Sequence, residues 1–122
     1  MRSKYGNKKA THNGTIFDSR KERNRYITLL ALQKAGEISD LKMQVPFEII
    51  PAVYEKVEKQ LKTKVKIVDR CVQKATHYIA DFVYTDKDGN MVVEDVKGMR
   101  TEKYLLKKKM MRAFLGITIK EV

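Results

Sequence analysis

At 122 residues the chain suits one domain that buries about two-thirds of its unfolded surface, and it leaves no length for a separate target-recognition domain. Its 26 Lys and Arg against 15 Asp and Glu give a formal charge of +11, which predicts attraction to a polyanion. Nucleic acid fits this balance better than a membrane, because no basic amphipathic helix stands out and no apolar run approaches the roughly 20 residues of a span. The single Cys71 excludes an intrachain disulfide and, with only His12 and His77 beside it, a Cys/His zinc site. With no apolar stretch after Met1, a reducing, cytoplasmic setting is expected.

Residues 1–15 are basic, contain Gly and Asn, and lack apolar periodicity, so they read as an arm or loop. Lys4, Lys8 and Lys9 in this arm either track phosphates or belong to a disordered tail. A helix is predicted from about Ser19 to Lys34, with Ser19 as N-cap, Glu22 three residues later and Gly36 just past the end. Ser19-Arg20-Lys21-Glu22 is a capping box by sequence. Glu22, Tyr26, Leu29, Leu30 and Gln33 recur at helical spacing, which sets Glu22 at the edge of the apolar face and lets it point towards the strands.

From Leu41 to Ile50 the chain reads as extended, with Pro46 and Pro51 disfavouring a helix. Tyr54, Val57 and Leu61 at three- and four-residue spacing predict a short helix over Ala52 to Leu61. Val65 and Ile67 alternate with Lys64, Lys66 and Val68 and predict a strand, whose outer lysines border DNA or protect an edge.

A hairpin is expected next. Tyr78 to Tyr84 and Met91 to Lys97 are rich in aromatic and β-branched residues and flank Asp86-Lys87-Asp88-Gly89-Asn90. Alternation puts Asp95 and Lys97 on one face with Met91 and Val93, puts Asp81 with Ile79 and Val83, and points Glu94 the other way. Two carboxylates and a lysine among apolar neighbours call for a partner or a metal, because desolvating a lone charge is costly. Aligning Gly89 with the invariant glycine of a calcium loop puts Tyr84 at the first ligand position, so the Asp-rich connector is a turn. Gly98 and Thr101 lead to a helix from about Glu102 to Phe114 with an apolar stripe of Leu106, Met110, Ala113 and Phe114. Lys103, Lys107 and Lys108 project elsewhere. Gly116 ends the helix, and residues 117–122 form a last strand.

Ala80-Asp81 followed by Asp95-Val96-Lys97 resembles the paired motifs of the PD-(D/E)XK nuclease superfamily, with Ala80 where that family usually has proline. Phe17-Asp18-Ser19-Arg20-Lys21-Glu22 resembles the segment bearing the helical glutamate of its Holliday-junction resolvases and transposon-end endonucleases. Together with Lys4-Tyr5-Gly6-Asn7-Lys8, Tyr78 to Phe82 and Val93 to Gly98, these segments resemble a small phage-encoded family of such nucleases, along nearly the whole chain. The resemblance implies an α/β fold with a restriction-endonuclease-like α-β-β-β-α-β core, a mixed sheet flanked by helices, in one domain over residues 1–122. It also implies Mg2+, with Mn2+ as substitute, held by Asp81, Asp95, the main-chain carbonyl of Val96 and Glu22.

Phosphodiester hydrolysis needs an activated water and neutralisation of the charge that develops on the phosphoryl group. Lys97 either orients or deprotonates that water, or stabilises the attacked phosphate; Glu22 binds metal directly or through water. Arg100, Lys103, Lys107 and Lys108 join the arm as DNA contacts. Gln44 and His77 are possible accessories, the glutamine because one recurs before the hairpin in the resembling phage family. The helix after Lys97 has Tyr104 but no Gln, which disfavours a recombination exonuclease. A non-catalytic DNA-binding module has no need for two carboxylates facing an anion. The expectation is therefore a metal-dependent, structure-selective endonuclease that acts on branched DNA as a homodimer, in phage recombination or DNA processing in the host cytoplasm.

Overall fold

In the computed structural model, residues 9–97 and 99–122 are described. Lys4 and Lys8, with the motif that contains them, lie outside these residues. Lys9 is exposed.

Residues 10–17 are not an open arm. β1 (Ala10–His12) and β2 (Thr15–Phe17) pair as a short hairpin. Its two-residue turn, Asn13-Gly14, has positive φ at both positions (48° and 84°), the conformation whose twist matches the flanking strands. α1 (Arg20–Lys34) follows with Ser19 as N-cap.

β3 (Ser39–Ile50), β6 (Thr76–Thr85), β7 (Met91–Asp95) and β8 (Lys120–Glu121) form a four-stranded mixed sheet in the order β3-β6-β7-β8. The first three strands are antiparallel and β8 is parallel to β7. A parallel neighbour requires a crossover, and α2 (Glu102–Leu115) provides it between β7 and β8. Pro46 lies within β3 rather than bounding it, as an edge strand permits. The last strand covers only two of the six residues expected; Ile119 ahead of it is buried.

The short helix expected over Ala52 to Leu61 is instead β4 (Val53–Gln60), paired antiparallel with β5 (Val65–Gln73) as a separate two-stranded ribbon. The helical spacing of Tyr54, Val57 and Leu61 is outweighed by eight cross-strand partners that only the fold reveals. β3 continues into β4 and β5 into β6, so the ribbon extends the β3–β6 pair.

Two clusters make the core. Phe17, Leu29, Phe82 and Tyr84 pack on the α1 side. Ile49, Tyr78, Ala80, Val83, Val93, Tyr104, Met111 and Ile119 pack on the α2 side. The stripe expected on α2 is displaced: Tyr104 and Met111 are buried, whereas Leu106 and Phe114 are 57% and 61% exposed. The helix is rotated from the expected face, so that the side bearing Tyr104 and Met111 turns inward. Among the described residues no helix is long and apolar enough to cross a membrane.

Candidate active site

The β6–β7 hairpin is closed by Asp86, whose side-chain oxygen accepts from the main-chain N–H groups of Asp88 and Asn90 at 2.9 Å each. This Asx-type closure, with Gly89 at φ 84°, makes the Asp-rich connector a turn. The register that follows pairs Phe82 with Glu94 and carries Asp81 to the point where β7 ends. There one Asp81 oxygen accepts from the Val96 N–H at 2.8 Å. Asp95 accepts a short hydrogen bond from the Tyr78 hydroxyl and an ion pair from Lys97 Nζ at 2.7 Å.

Glu22 reaches the same place from α1. Its N–H donates to Ser19 Oγ at 3.1 Å, which is half of the expected capping box. Its carboxylate turns to the strands and accepts from Gln44 Nε2 at 3.0 Å, while that nitrogen also lies 3.4 Å from Asp81 Oδ1. Glu22, Gln44, Asp81, Asp95 and Lys97 are thus brought together from α1, β3, β6 and the end of β7.

Gln44 stands opposite Asp81 in the β3–β6 register and has φ 51°, a left-handed conformation inside a strand. For a residue with a Cβ that conformation costs on the order of 1–3 kcal/mol. The strand opposite changes face at this point. Tyr78 and Ala80 belong to the α2-side cluster and Phe82 and Tyr84 to the α1-side cluster, although strict alternation would keep all four together. Asp81 therefore does not share a face with Ile79, as alternation predicted; Ile79 is 56% exposed.

Burial, then the neighbouring Asp95 charge, push Asp81 up to about 7. Glu22 is also raised, by burial and then by Asp18 and Asp95. Lys97 Nζ sits 3.4 Å from the centre of the Tyr104 ring, a cation–π contact, and the Tyr104 hydroxyl donates to Glu121 at 2.8 Å. Burial raises both Tyr78 and Tyr104, so each stays a hydroxyl donor at neutral pH.

Glu94 faces away, as alternation predicted. It is fully buried, accepts two bonds from Arg25 at 2.8 and 2.7 Å, and a third from the Tyr84 hydroxyl. Burial would raise it, but the Arg25 and Tyr84 bonds hold it below the usual carboxylate range.

Beside the carboxylates, Lys21, Lys97, Arg100, Glu121 and Val122 line an open pocket. Lys21 Nζ donates to the Lys97 carbonyl at 2.8 Å, and Arg100 pairs with Glu121. Lys108 also meets Glu121, at 3.2 Å. Lys103 is exposed and Lys107 half-buried. His77 is exposed, opposite Glu48, and about 13 Å along β6 from Asp81, so it does not join the cluster. The sequence reading missed Lys21, Tyr78 and Glu121. Lys21 had a visible signal, its place beside Glu22 in the first helical turn; the other two depend on cross-chain contacts.

Among the described residues no group of three or more His, Cys, Asp or Glu side chains is spaced to hold an ion. The donors that converge are oxygens of Asp81 and Asp95, with Glu22 one amide away through Gln44. Two carboxylates with retained waters match the needs of a hard cation such as Mg2+.

Residues 2–116 match the model of a family described as a protein of unknown function (DUF1064). No curated protein and no solved structure matches the chain.

Proposed function

The chain belongs to this DUF1064 family, and we propose that it is a metal-dependent DNA endonuclease of the PD-(D/E)XK type. The observation that carries the reading is the meeting of Asp81, Asp95 and Lys97 where β7 ends, beside a pocket to which Lys21, Lys97 and Arg100 contribute along with Glu121. Two acids set so close that Asp95 helps to raise Asp81 are an unfavourable arrangement for a protein that only binds an anion. They are the arrangement expected where a cation and a water are to be held. The element order α1, β3, β6, β7, α2, β8 supports reading the fold as restriction-endonuclease-like, with the β4–β5 ribbon inserted.

Asp81, Asp95 and the Val96 carbonyl would hold Mg2+, which supplies charge neutralisation at the phosphoryl oxygens and a more acidic water. Asp81, raised in the metal-free protein, would serve as a ligand in its ionised form. Gln44 Nε2 ties Glu22 to Asp81, which would let Glu22 take part through a water. Lys97 is held between Asp95 and the Tyr104 ring, which fixes its ammonium for the attacking water or the scissile phosphate. Lys21 and Arg100 line the pocket where an adjacent phosphate sits.

The substrate in this reading is branched DNA, cut by a twofold homodimer, because one 122-residue domain holds one such cluster and paired cuts need two. The test is incubation of purified protein and Mg2+ with end-labelled linear, nicked, flap and four-way DNA, alongside Asp95→Asn. Metal-dependent internal cuts that vanish in the variant are expected. Absence of cutting on every substrate with both Mg2+ and Mn2+, or full activity in the variant, overturns the reading.

A further inference from the structure

The β4–β5 ribbon is unlike the rest of the molecule. All its strand residues are exposed except Val57 and Val68, which face one another and are only half-buried. An isolated two-stranded ribbon is marginal in water, so a ribbon kept this bare is held for something other than core packing.

Its charges are sorted along its length. Near the base, Glu55 pairs with Arg70, and Lys56 with Asp69 at 2.6 Å, so this half is neutralised. Towards the tip the acids stop. From Lys59 to Lys66 the chain carries Lys59, Lys62, Lys64 and Lys66 with no carboxylate between them. Among the described residues none of these four has a salt-bridge partner. Lys59 and Lys66 are also direct cross-strand partners, and like charges placed opposite one another destabilise a ribbon. Random surface lysine would not sort in this way; a polyanion bound at the tip turns the repulsion into attraction.

We propose that the β4–β5 ribbon is a second DNA contact, whose tip lysines Lys59, Lys62, Lys64 and Lys66 neutralise duplex phosphates at a distance from the carboxylate cluster. A two-stranded ribbon is of a size that the major groove of B-DNA, about 12 Å wide, admits. Along β6 and β5, Lys66 lies 15 residues from Asp81, a contour of roughly 50 Å if extended, or more than one turn of duplex. The inference rests on the nucleic-acid half of the proposed function and not on its catalytic half.

The test compares the wild-type chain with the quadruple variant Lys59→Gln/Lys62→Gln/Lys64→Gln/Lys66→Gln and with the corresponding four-arginine variant. Each binds a fluorescent 30-base-pair duplex without divalent metal, over a salt series, with circular dichroism and solution mass measured in parallel. The glutamine variant is expected to fold, to keep its mass and to bind more weakly, with a salt slope shallower by up to about 3.6, at about 0.9 per phosphate. The arginine variant is expected to keep the wild-type slope. An unchanged slope in the glutamine variant overturns the proposal, as does a change in mass that accounts for the loss, since the tip would then serve a second copy of the chain. Wild-type protein that binds through the ribbon but never cuts overturns the catalytic reading alone.

Discussion

Two neighbouring acids on β7 have opposite surroundings. Glu94, on the α1 side, is fully buried but meets a guanidinium fork and a tyrosine hydroxyl, and is held below the usual range. On the α2 side, the Lys97 ammonium pairs with Asp95, and Asp81 beside it is pushed up to about 7. Glu94 is a compensated acid of the framework; Asp81 is left under-compensated. The difference lies in the partners each acid meets rather than in depth, since Asp95 is itself only 5% exposed.

The compensated side is broken most severely by Arg25→Met, which leaves Glu94 buried without its partner. A loss of about 3–5 kcal/mol is expected in urea unfolding, where the loss of a surface ion pair would be near zero. On the other side, Asp95→Asn keeps the shape and the Tyr78 contact, so stability should hold while metal-dependent cleavage falls by at least about a hundredfold, read in single-turnover assays. Equal effects of the two variants on stability would erase the contrast.

Titration sharpens it further. With its folded value raised to about 7 from the ordinary 3.8, Asp81 binds more protons folded than unfolded over that interval. Stability of the metal-free protein should therefore fall as pH rises from about 4 to about 7 and level off above, and Asp81→Asn should remove this component. Divalent cation should bind more tightly with rising pH over the same window and release protons, a signal calorimetry in buffers of different ionisation enthalpy would detect. The smallest expected effect is that of Glu22→Gln: the Ser19 cap is main-chain on the Glu22 side and survives, so the melting temperature should move little while cleavage drops about tenfold. Loss of folding with normal activity per folded molecule would return Glu22 to a capping role only.

Much of this contrast was legible in local sequence. The capping of α1, the Asp86 to Asn90 turn and the alternation separating Glu94 from Asp95 are all short-range patterns. What escaped was settled by long-range contacts. Arg25 and Glu94 are 69 residues apart, and no periodicity joins them. β4 looked helical because three apolar spacings fitted and its partner strand was out of view. The Asn13-Gly14 pair is itself a local hairpin signal, masked by the basicity of the segment around it. The change of face at Asp81 breaks the alternation used to place it, and it coincides with the left-handed Gln44 across the ladder.

That change of face makes Asp81 the seam between two cores. Glu22 is anchored in the α1 half, and the ring beneath Lys97 in the α2 half, so the cluster measures the alignment of the halves as a vernier does. Small relative slippage is diluted across many apolar contacts but concentrated at a few hydrogen bonds of 2.7 to 3.4 Å. On warming, cleavage should therefore fade several degrees before helix content does, and a substitution that loosens either half, such as Leu29→Ala or Met111→Ala, should widen that gap.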